Sequence, residues 1–312
     1  MSLATLAVAG VLGGSLSSCS GDDELYVITD NNDGGWLVTS VAGIYCTYDE
    51  DNKLTSIIDE DEVYYVSDDG KLTITYNDSK ESINAKISLN GDNNITKIEY
   101  SGIEYGDEKW EGTCDINYNS DKRLQSCTIT DRGEELNSQN RSTSRFTASF
   151  TWVNDNLVSW TENRTNNQVY NGNETSNSWT ETYTHTYGGQ ENPRKQFPYF
   201  MGKNITTYAL DDDIAGVFSV LGLFGYGPKY LPTGCRHSYD SSSFTYDYTF
   251  SFILNSNGTL YSETLSEDSY KKTYNYVYTP TRAGNVGTQS LKELLRNSLR
   301  RRTSLGQMEQ EQ

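Results

Sequence analysis

Apolar and polar residues alternate with a period of two along most of the chain. Ala85, Ile87 and Leu89 share one face. Cys114, Ile116 and Tyr118 fall opposite Thr113, Asp115 and Asn117. The longest run is Phe244, Tyr246, Tyr248, Phe250, Phe252 and Leu254, and Tyr274, Tyr276 and Tyr278 form another. Successive side chains on a strand point to opposite faces, so these stretches predict half-buried strands. Between them a phrase recurs: an apolar or aromatic residue, a polar turn containing Asp or Asn, then Leu or Ile. Tyr48 leads to Asp51-Asn52-Lys53-Leu54, Tyr118 to Asp121-Lys122-Arg123-Leu124, and Leu254 to Asn257-Gly258-Thr259-Leu260. Asp, Asn and Gly tolerate positive φ and bond their own backbone, so each phrase reads as a hairpin. The irregular spacing of the turns argues against a solenoid or propeller.

Two segments depart from this pattern. Asp211-Asp212-Asp213 precedes Ile214, Val217, Phe218 and Leu221, which is helical spacing behind acidic capping residues. This predicts a helical insertion at about 211–224, ended by Gly222, Gly225, Gly227 and Pro228. The stretch 188–203 before it, with Pro193 and Pro198, reads as a long connection. The Asn-, Thr- and Ser-rich stretch 161–180 is either a long hairpin tip or a mobile loop. At the end, Leu291, Leu294, Leu295 and Leu299 form a helical stripe flanked by Arg296 and Arg300 to Arg302. The expected fold is therefore all-β: a large curved antiparallel meander, half-barrel-like, over residues 31–283. It carries one short helical insertion, and a basic helical tail follows at 284–312.

The balance of 25 Lys and Arg against 43 Asp and Glu gives a charge of −18 over 312 residues. Phosphate binding needs a basic surface, so nucleic acid is excluded as a partner. Adhesion of the folded domain to anionic membranes is excluded as well. Hydrophobic residues make up only 35%, but 24 Tyr can cover a core or stand on a wet face, so the low share does not mean disorder. With only His185 and His237 present, a His-rich zinc centre is excluded.

Residues 3–16 are apolar and small, too short to span a bilayer as a helix. They end in Leu16-Ser17-Ser18-Cys19, which resembles a bacterial lipobox. No Lys or Arg precedes Lys53, so the basic start usual in such signals is missing. The resemblance implies a signal peptide at 1–18, lipid on Cys19 and a linker at 19–30. The polar, acidic residues from Ser20 to Glu24 look like the surface-export signal of Bacteroidetes lipoproteins. The expected address is the outer membrane, facing periplasm or cell surface, with the acyl chains as the only membrane anchor.

The Tyr–acidic-turn–Leu phrase resembles Bacteroidetes lipoproteins grouped as domain of unknown function 4595. So do Asn192-Pro193 after a Tyr-rich strand, the helical insertion running to Leu231-Pro232, and the closing strands around Phe252 and Leu260. The resemblance covers roughly 30–280 and rests on compositional motifs. It implies an envelope lipoprotein with an antiparallel meander, akin to curved half-barrels that carry lipid, and it supplies no catalytic residue.

Cys114 and Cys127 flank one hairpin turn. A turn centred at 120–121 sets them opposite, which suits a disulfide; centring it one residue later makes them diagonal, as two small buried thiols. Asp49, Asp51 and Glu60 fail the calcium-loop pattern, because Lys53 and Leu54 stand where an oxygen ligand and a Gly are required. The acidic runs 59–62 and 211–213 read as a solvated turn and a helix start. No carboxylate pair stands out, no Gly-x-Ser-x-Gly turn is present, and packing roles are expected for both His. Trp152 and Trp160 flank one turn and read as packing residues, whereas Trp110 and Trp179 lie in polar stretches and are the candidate ligand-facing aromatics. The chain is expected to be a monomeric, non-catalytic binding module without cofactor or metal, for a glycan or an envelope protein. The second expectation is an acyl-chain carrier whose concave face is lined by Phe250, Phe252 and Val217.

Overall fold

The computed structural model describes residues 36–280, apart from 51, 53, 60–61, 67–70, 77–81, 93, 105–106, 204, 206–211, 241–244 and 269. For 62–66, 71–76, 82–83 and 104 it describes the backbone alone. The leader at 1–18, Cys19, the 19–30 linker and the 284–312 tail lie outside the described residues.

Sixteen strands run through the described residues. They are β1 (Trp36–Val41), β2 (Ile44–Tyr48), β3 (Leu54–Asp59), β4 (Glu62–Val66), β5 (Lys71–Tyr76), β6 (Ser82–Leu89), β7 (Ile95–Glu104) and β8 (Glu108–Tyr118). They continue as β9 (Leu124–Glu135), β10 (Arg141–Val153), β11 (Asn156–Tyr170), β12 (Asn173–Glu191), β13 (Tyr230–Tyr239), β14 (Thr245–Leu254), β15 (Leu260–Glu267) and β16 (Tyr270–Pro280). Helices α1 (Tyr199–Lys203) and α2 (Asp212–Val220) lie between β12 and β13. Each strand pairs antiparallel with its neighbours in sequence, which is the expected meander of hairpins. The meander then goes further round than a half-barrel. β1 also pairs with β16, Trp36 facing Pro280 and Val41 facing Tyr276, so the sheet closes.

The turns explain the register. Ala42-Gly43, Asn154-Asp155 and Asn171-Gly172 each hold positive φ at both positions and join directly paired residues. That is the turn whose twist matches the strands. Longer turns are tied by an Asn two residues before the Asp of the turn. Asn90 Oδ1 accepts from the Asp92 and Asn94 amides at 2.9 and 3.0 Å. Asn119 Oδ1 does the same for Asp121 and Arg123 at 2.9 and 3.1 Å. The stretch 161–180 is thus strand and hairpin tip rather than loop.

Inward-facing residues are apolar and buried: Ile98, Cys114, Ile116, Cys127, Ile129, Phe146 and Phe150 among them. Outward-facing Asp115, Asn117, Thr130, Arg132, Arg145, Ser149, Thr151, Thr184 and Thr186 are exposed. A membrane-spanning barrel needs the reverse, an apolar band outside. Over β8 to β12 the outer wall is built to face water, whereas Tyr45, Ile253, Tyr261 and Val277 are exposed on the outer face of β2, β14, β15 and β16.

The segment between β12 and β13 plugs the end at which both described chain ends lie. α2 buries Ile214, Val217 and Phe218, and the neighbouring Phe197, Tyr199, Met201 and Phe224 are buried with it. It stops in a left-handed cap at Gly222 (φ 79°). There the Leu223 amide reaches the Phe218 carbonyl at 3.0 Å, and the Gly222 amide reaches Ser219 at 3.1 Å. α1 falls inside the stretch read as connection. Pro198 precedes it with φ already set for a helix, and its carbonyl accepts from the Gly202 amide at 3.1 Å. The plug is tied to the hairpin turns by backbone bonds, from Ile95 to Leu223 (2.8 Å), Tyr226 to Lys122 (3.0 Å) and Lys229 to Asp155 (2.9 Å). Phe200 packs 5.4 Å from both Tyr248 and Phe250, so the interior there is filled.

One buried acid pins the plug. Glu263 is fully buried on β15. It accepts from the Tyr276 hydroxyl at 2.5 Å and from the Phe200 amide at 3.3 Å. The Tyr199 amide donates to the same Tyr276 hydroxyl at 3.2 Å. Burial pushes Glu263 up to about 7, against the hydrogen bonds. The folded state therefore holds a proton that the unfolded chain releases near the ordinary carboxylate value. Stability contributed by this group is full below that value and declines as pH rises towards about 7. Chemical denaturation of Glu263→Gln across pH 5–8 is expected to lack that decline, a difference of roughly 3 kcal/mol at most. An unchanged slope would remove Glu263 from the account.

Candidate functional site

The barrel wall is uneven. β9 to β12 have 12, 13, 15 and 19 residues, whereas β2 and β4 have five each. At about 3.3 Å per residue the β9–β12 side rises well above the opposite rim, at the end away from the plug. Its inner face carries the side chains on even positions of β8, β10 and β11 and on odd positions of β9, β12 and β13.

Five rows climb this face, fixed by the strand registers. The lowest is aromatic: Phe150, Trp160, Tyr183, His237 and Tyr246 stand opposite one another across β10 to β14. Trp160 stacks on Tyr183 at 4.5 Å and Tyr183 on His237 at 4.1 Å. Above them Glu162 faces Glu181. In the third row Phe146, Arg164 and Trp179 are in line. Asp131, Ser144, Asn166 and Asn177 form the fourth with Gly112, and Trp110, Gly133, Ser142, Gln168 and Thr175 the fifth.

The two glutamates are tied on all four oxygens. Glu162 accepts from Trp160 Nε1 at 2.9 Å and from Arg164 Nη2 at 2.8 Å. Glu181 accepts from Trp179 Nε1 at 2.8 Å and from the Tyr183 hydroxyl at 3.3 Å. It also meets His237 Nε2 at 2.9 Å and pairs with Arg164 Nε at 3.3 Å. Burial raises Glu162 above the usual carboxylate range despite the nearby Arg164. For Glu181 burial acts the same way, yet the His237 and Trp179 bonds and the Arg164 charge outweigh it and hold its carboxyl low. With each oxygen occupied, the pair is a structural tie across β11 and β12, not an open acid–base couple.

The residues singled out in the sequence fall as follows. Trp110 and Trp179 are both half-buried on this inner face, on β8 and β12. Trp160 is in the core and Trp152 packs edge-on against Phe197 at 6.2 Å. Both His are buried inside the barrel; His185 lies 4.8 Å from Trp160, and burial pushes it down to about 3, so it is neutral. Cys114 pairs with Ile129 and Ile116 with Cys127, the diagonal register. A bulge at Asn117/Tyr118 and the turn closed by the Asn119 amide on Arg123 produce it. The thiols stand 3.4 Å apart, and Cys46, Cys114, Cys127 and Cys235 are all free. Asp213 bonds Lys203 and Tyr199, and no cluster of metal-ligating residues occurs among the described residues. Glu162, Arg164 and Glu181 escaped the sequence reading because their stretch is polar overall. Trp160-x-Glu162-x-Arg164 and Trp179-x-Glu181-x-Tyr183-x-His185 were the signal, since period two puts each set on one face.

No family model matches the chain, and no curated protein matches it. Among solved structures it is similar to a porin-like protein from Bacteroides vulgatus, with 12% identity and a TM-score of 0.48 over 78% of this chain and 99% of that one. A porin-like protein from Bacteroides uniformis overlaps 81% of this chain and 93% of its own, with 17% identity and a TM-score of 0.45.

Arg164→Ala leaves two buried glutamates facing each other, and urea unfolding is expected to register a loss of about 3–5 kcal/mol. Trp179→Phe removes one donor and is expected to cost about 1 kcal/mol. Small, equal losses would show that the network carries little weight.

Proposed function

We propose that this protein is an envelope lipoprotein, anchored through Cys19, whose barrel is a non-catalytic binding module for a glycan. The observation that carries the reading is the tall inner wall, where half-buried Trp110 stands near Asp131, Ser142 and Ser144 and half-buried Trp179 beside Arg164, on top of a closed-off carboxylate network. Flat aromatic faces beside amides and hydroxyls suit sugar rings. The water-facing outer wall of β8 to β12 is compatible with a tethered domain rather than an inserted one. Both described chain ends lie at the plugged end, so the tall rim is at the far end of the barrel from Trp36, the described residue nearest Cys19. The chain from Cys19 to Trp36 reaches about 60 Å at most. The resemblance to domain of unknown function 4595 lipoproteins supports the same address. An envelope protein as ligand is the other occupant of this reading. Against the acyl-chain carrier stands the packing of Phe200 on Phe250 and the burial of Val217 within the plug.

Two measurements test it. Cells labelled with a radioactive fatty acid are expected to mark the full-length protein, and Cys19→Ala is expected to abolish the mark. The purified barrel on an array of glycans is expected to retain at least one class. Persisting label in the variant would sink the anchor, and an empty array the glycan module.

A further inference from the structure

Three buried polar atoms on the fourth and fifth rows of the inner wall have no hydrogen-bond partner: Asp131 Oδ1, Asn166 Oδ1 and Trp110 Nε1. Buried polar groups in folded proteins are nearly always paired, so three neighbouring exceptions call for a partner that the chain itself does not supply. Asp131 is the weightiest. It is 6% exposed, and only its other oxygen is held, by the Ser144 hydroxyl at 2.9 Å. Burial raises it to about 6. The backbone leaves room for this arrangement. A Cβ on Gly133 would lie 2.8 Å from Ser142 Oγ and 3.0 Å from the Trp110 ring, so the indole lies across the bare glycine towards Ser142. A Cβ on Gly112 would come within 2.4 Å of the Tyr100 ring tip and 2.5 Å of Asp131 Oδ1, so the bare glycine lets Tyr100 lie beside Asp131. A side chain at either glycine would displace the ring that lies over it, Trp110 at Gly133 and Tyr100 at Gly112.

The chemistry of these atoms selects a ligand. Two are acceptors and one is a donor, so the ligand must bring hydroxyl groups, which both give and take. Asp131 stands in the wall here, Glu162 and Glu181 lie below it, and the whole chain carries −18, so an anionic ligand is repelled. Trp110 on β8 and Trp179 on β12 are four strands apart, about 19 Å along the sheet at ~4.8 Å per strand. A ligand that stacks on both is therefore an extended chain.

We infer that Trp110, Asp131, Ser144 and Asn166 form a subsite for the hydroxyls of an uncharged oligosaccharide, which runs along the inner wall to stack on Trp179. This rests on the glycan-binding reading above and adds its place and its ligand class.

The test uses the full chain, titrated with neutral hexasaccharides of glucose, mannose, xylose and N-acetylglucosamine and with the corresponding monosaccharides, by calorimetry. Indole N–H signals are followed by NMR in the same samples. The expected result is binding of at least one hexasaccharide, at least tenfold weaker binding of its monosaccharide, and a shifted Trp110 N–H signal, assigned by its loss in Trp110→Phe. Asn166→Ala and Asp131→Ala are each expected to weaken binding about tenfold or more. Asn166→Ala removes a half-buried side chain, and thermal unfolding confirms that the variant folds. If a hexasaccharide binds but both variants bind it equally and the Trp110 signal stays put, the subsite is wrong and the binding module stands. If a hexasaccharide of acidic sugars binds in place of the neutral ones, the ligand class is wrong. If no saccharide binds, the glycan reading falls and this inference falls with it.

Discussion

A ring of sixteen strands encloses more space than the side chains of its wall can fill. Around eight strands, inward side chains meet and make a core; at sixteen, a lumen remains. Barrels in membranes leave that lumen wet and turn their apolar residues outward. This chain does the opposite, since Ile98, Ile129, Phe146 and Phe150 point in and Thr and Asn point out. An apolar lumen cannot stay empty, because each exposed apolar surface inside would forfeit the contacts that hold the fold together. The segment between β12 and β13 answers that need. Its Phe197, Tyr199, Val217, Phe218 and Phe224 supply the missing core, and its backbone bonds lock it to three hairpin turns.

The plug fills one end, and the charged tie organises the other side. Between them the interior changes character along the barrel axis. Phe150, Trp160 and Tyr183 form an apolar floor, Glu162, Arg164 and Glu181 a satisfied polar layer, and the rows above are half-open. A polar layer that is fully paired can sit directly on an aromatic one without the cost of orphaned charge. Above it, on the fourth and fifth rows, Asp131, Asn166 and Trp110 each carry a buried polar atom without a hydrogen-bond partner.

Much of the wall was readable from period two and from the turn phrase, because both are local. Tyr274, Tyr276 and the Cys114–Tyr118 run lie in strands, with their apolar members inward. α2 was readable from Ile214, Val217 and Phe218 behind acidic residues. Closure was not, because the pairing of Thr39 and Val277 regions joins residues 238 apart and no local pattern encodes it. α1 was not, because five residues hold too little periodicity to stand out from a Pro-bearing connection. The diagonal set of Cys114 and Cys127 turned on a single bulge at Asn117/Tyr118, a one-residue matter beneath the precision of a turn phrase. Trp110 and Trp179 were singled out for their polar surroundings. The bare glycine under Trp110 becomes meaningful only when Gly133 is known to stand opposite it.

The neighbouring positions of β1 and β16 have a consequence for folding. Fifteen of the strand pairings form between sequence neighbours, and all of them except β12–β13, which spans the plug, need only short loops closed. The sixteenth must wait for two ends far apart along the chain to meet, so it carries nearly all the entropy of ring closure. That seam closes last. It also means that the ring has no privileged starting strand. A circular permutant that joins the two ends near Pro280 and Trp36 and opens the chain at the Asn171-Gly172 tip would keep every pairing while moving the slow seam to β11 and β12.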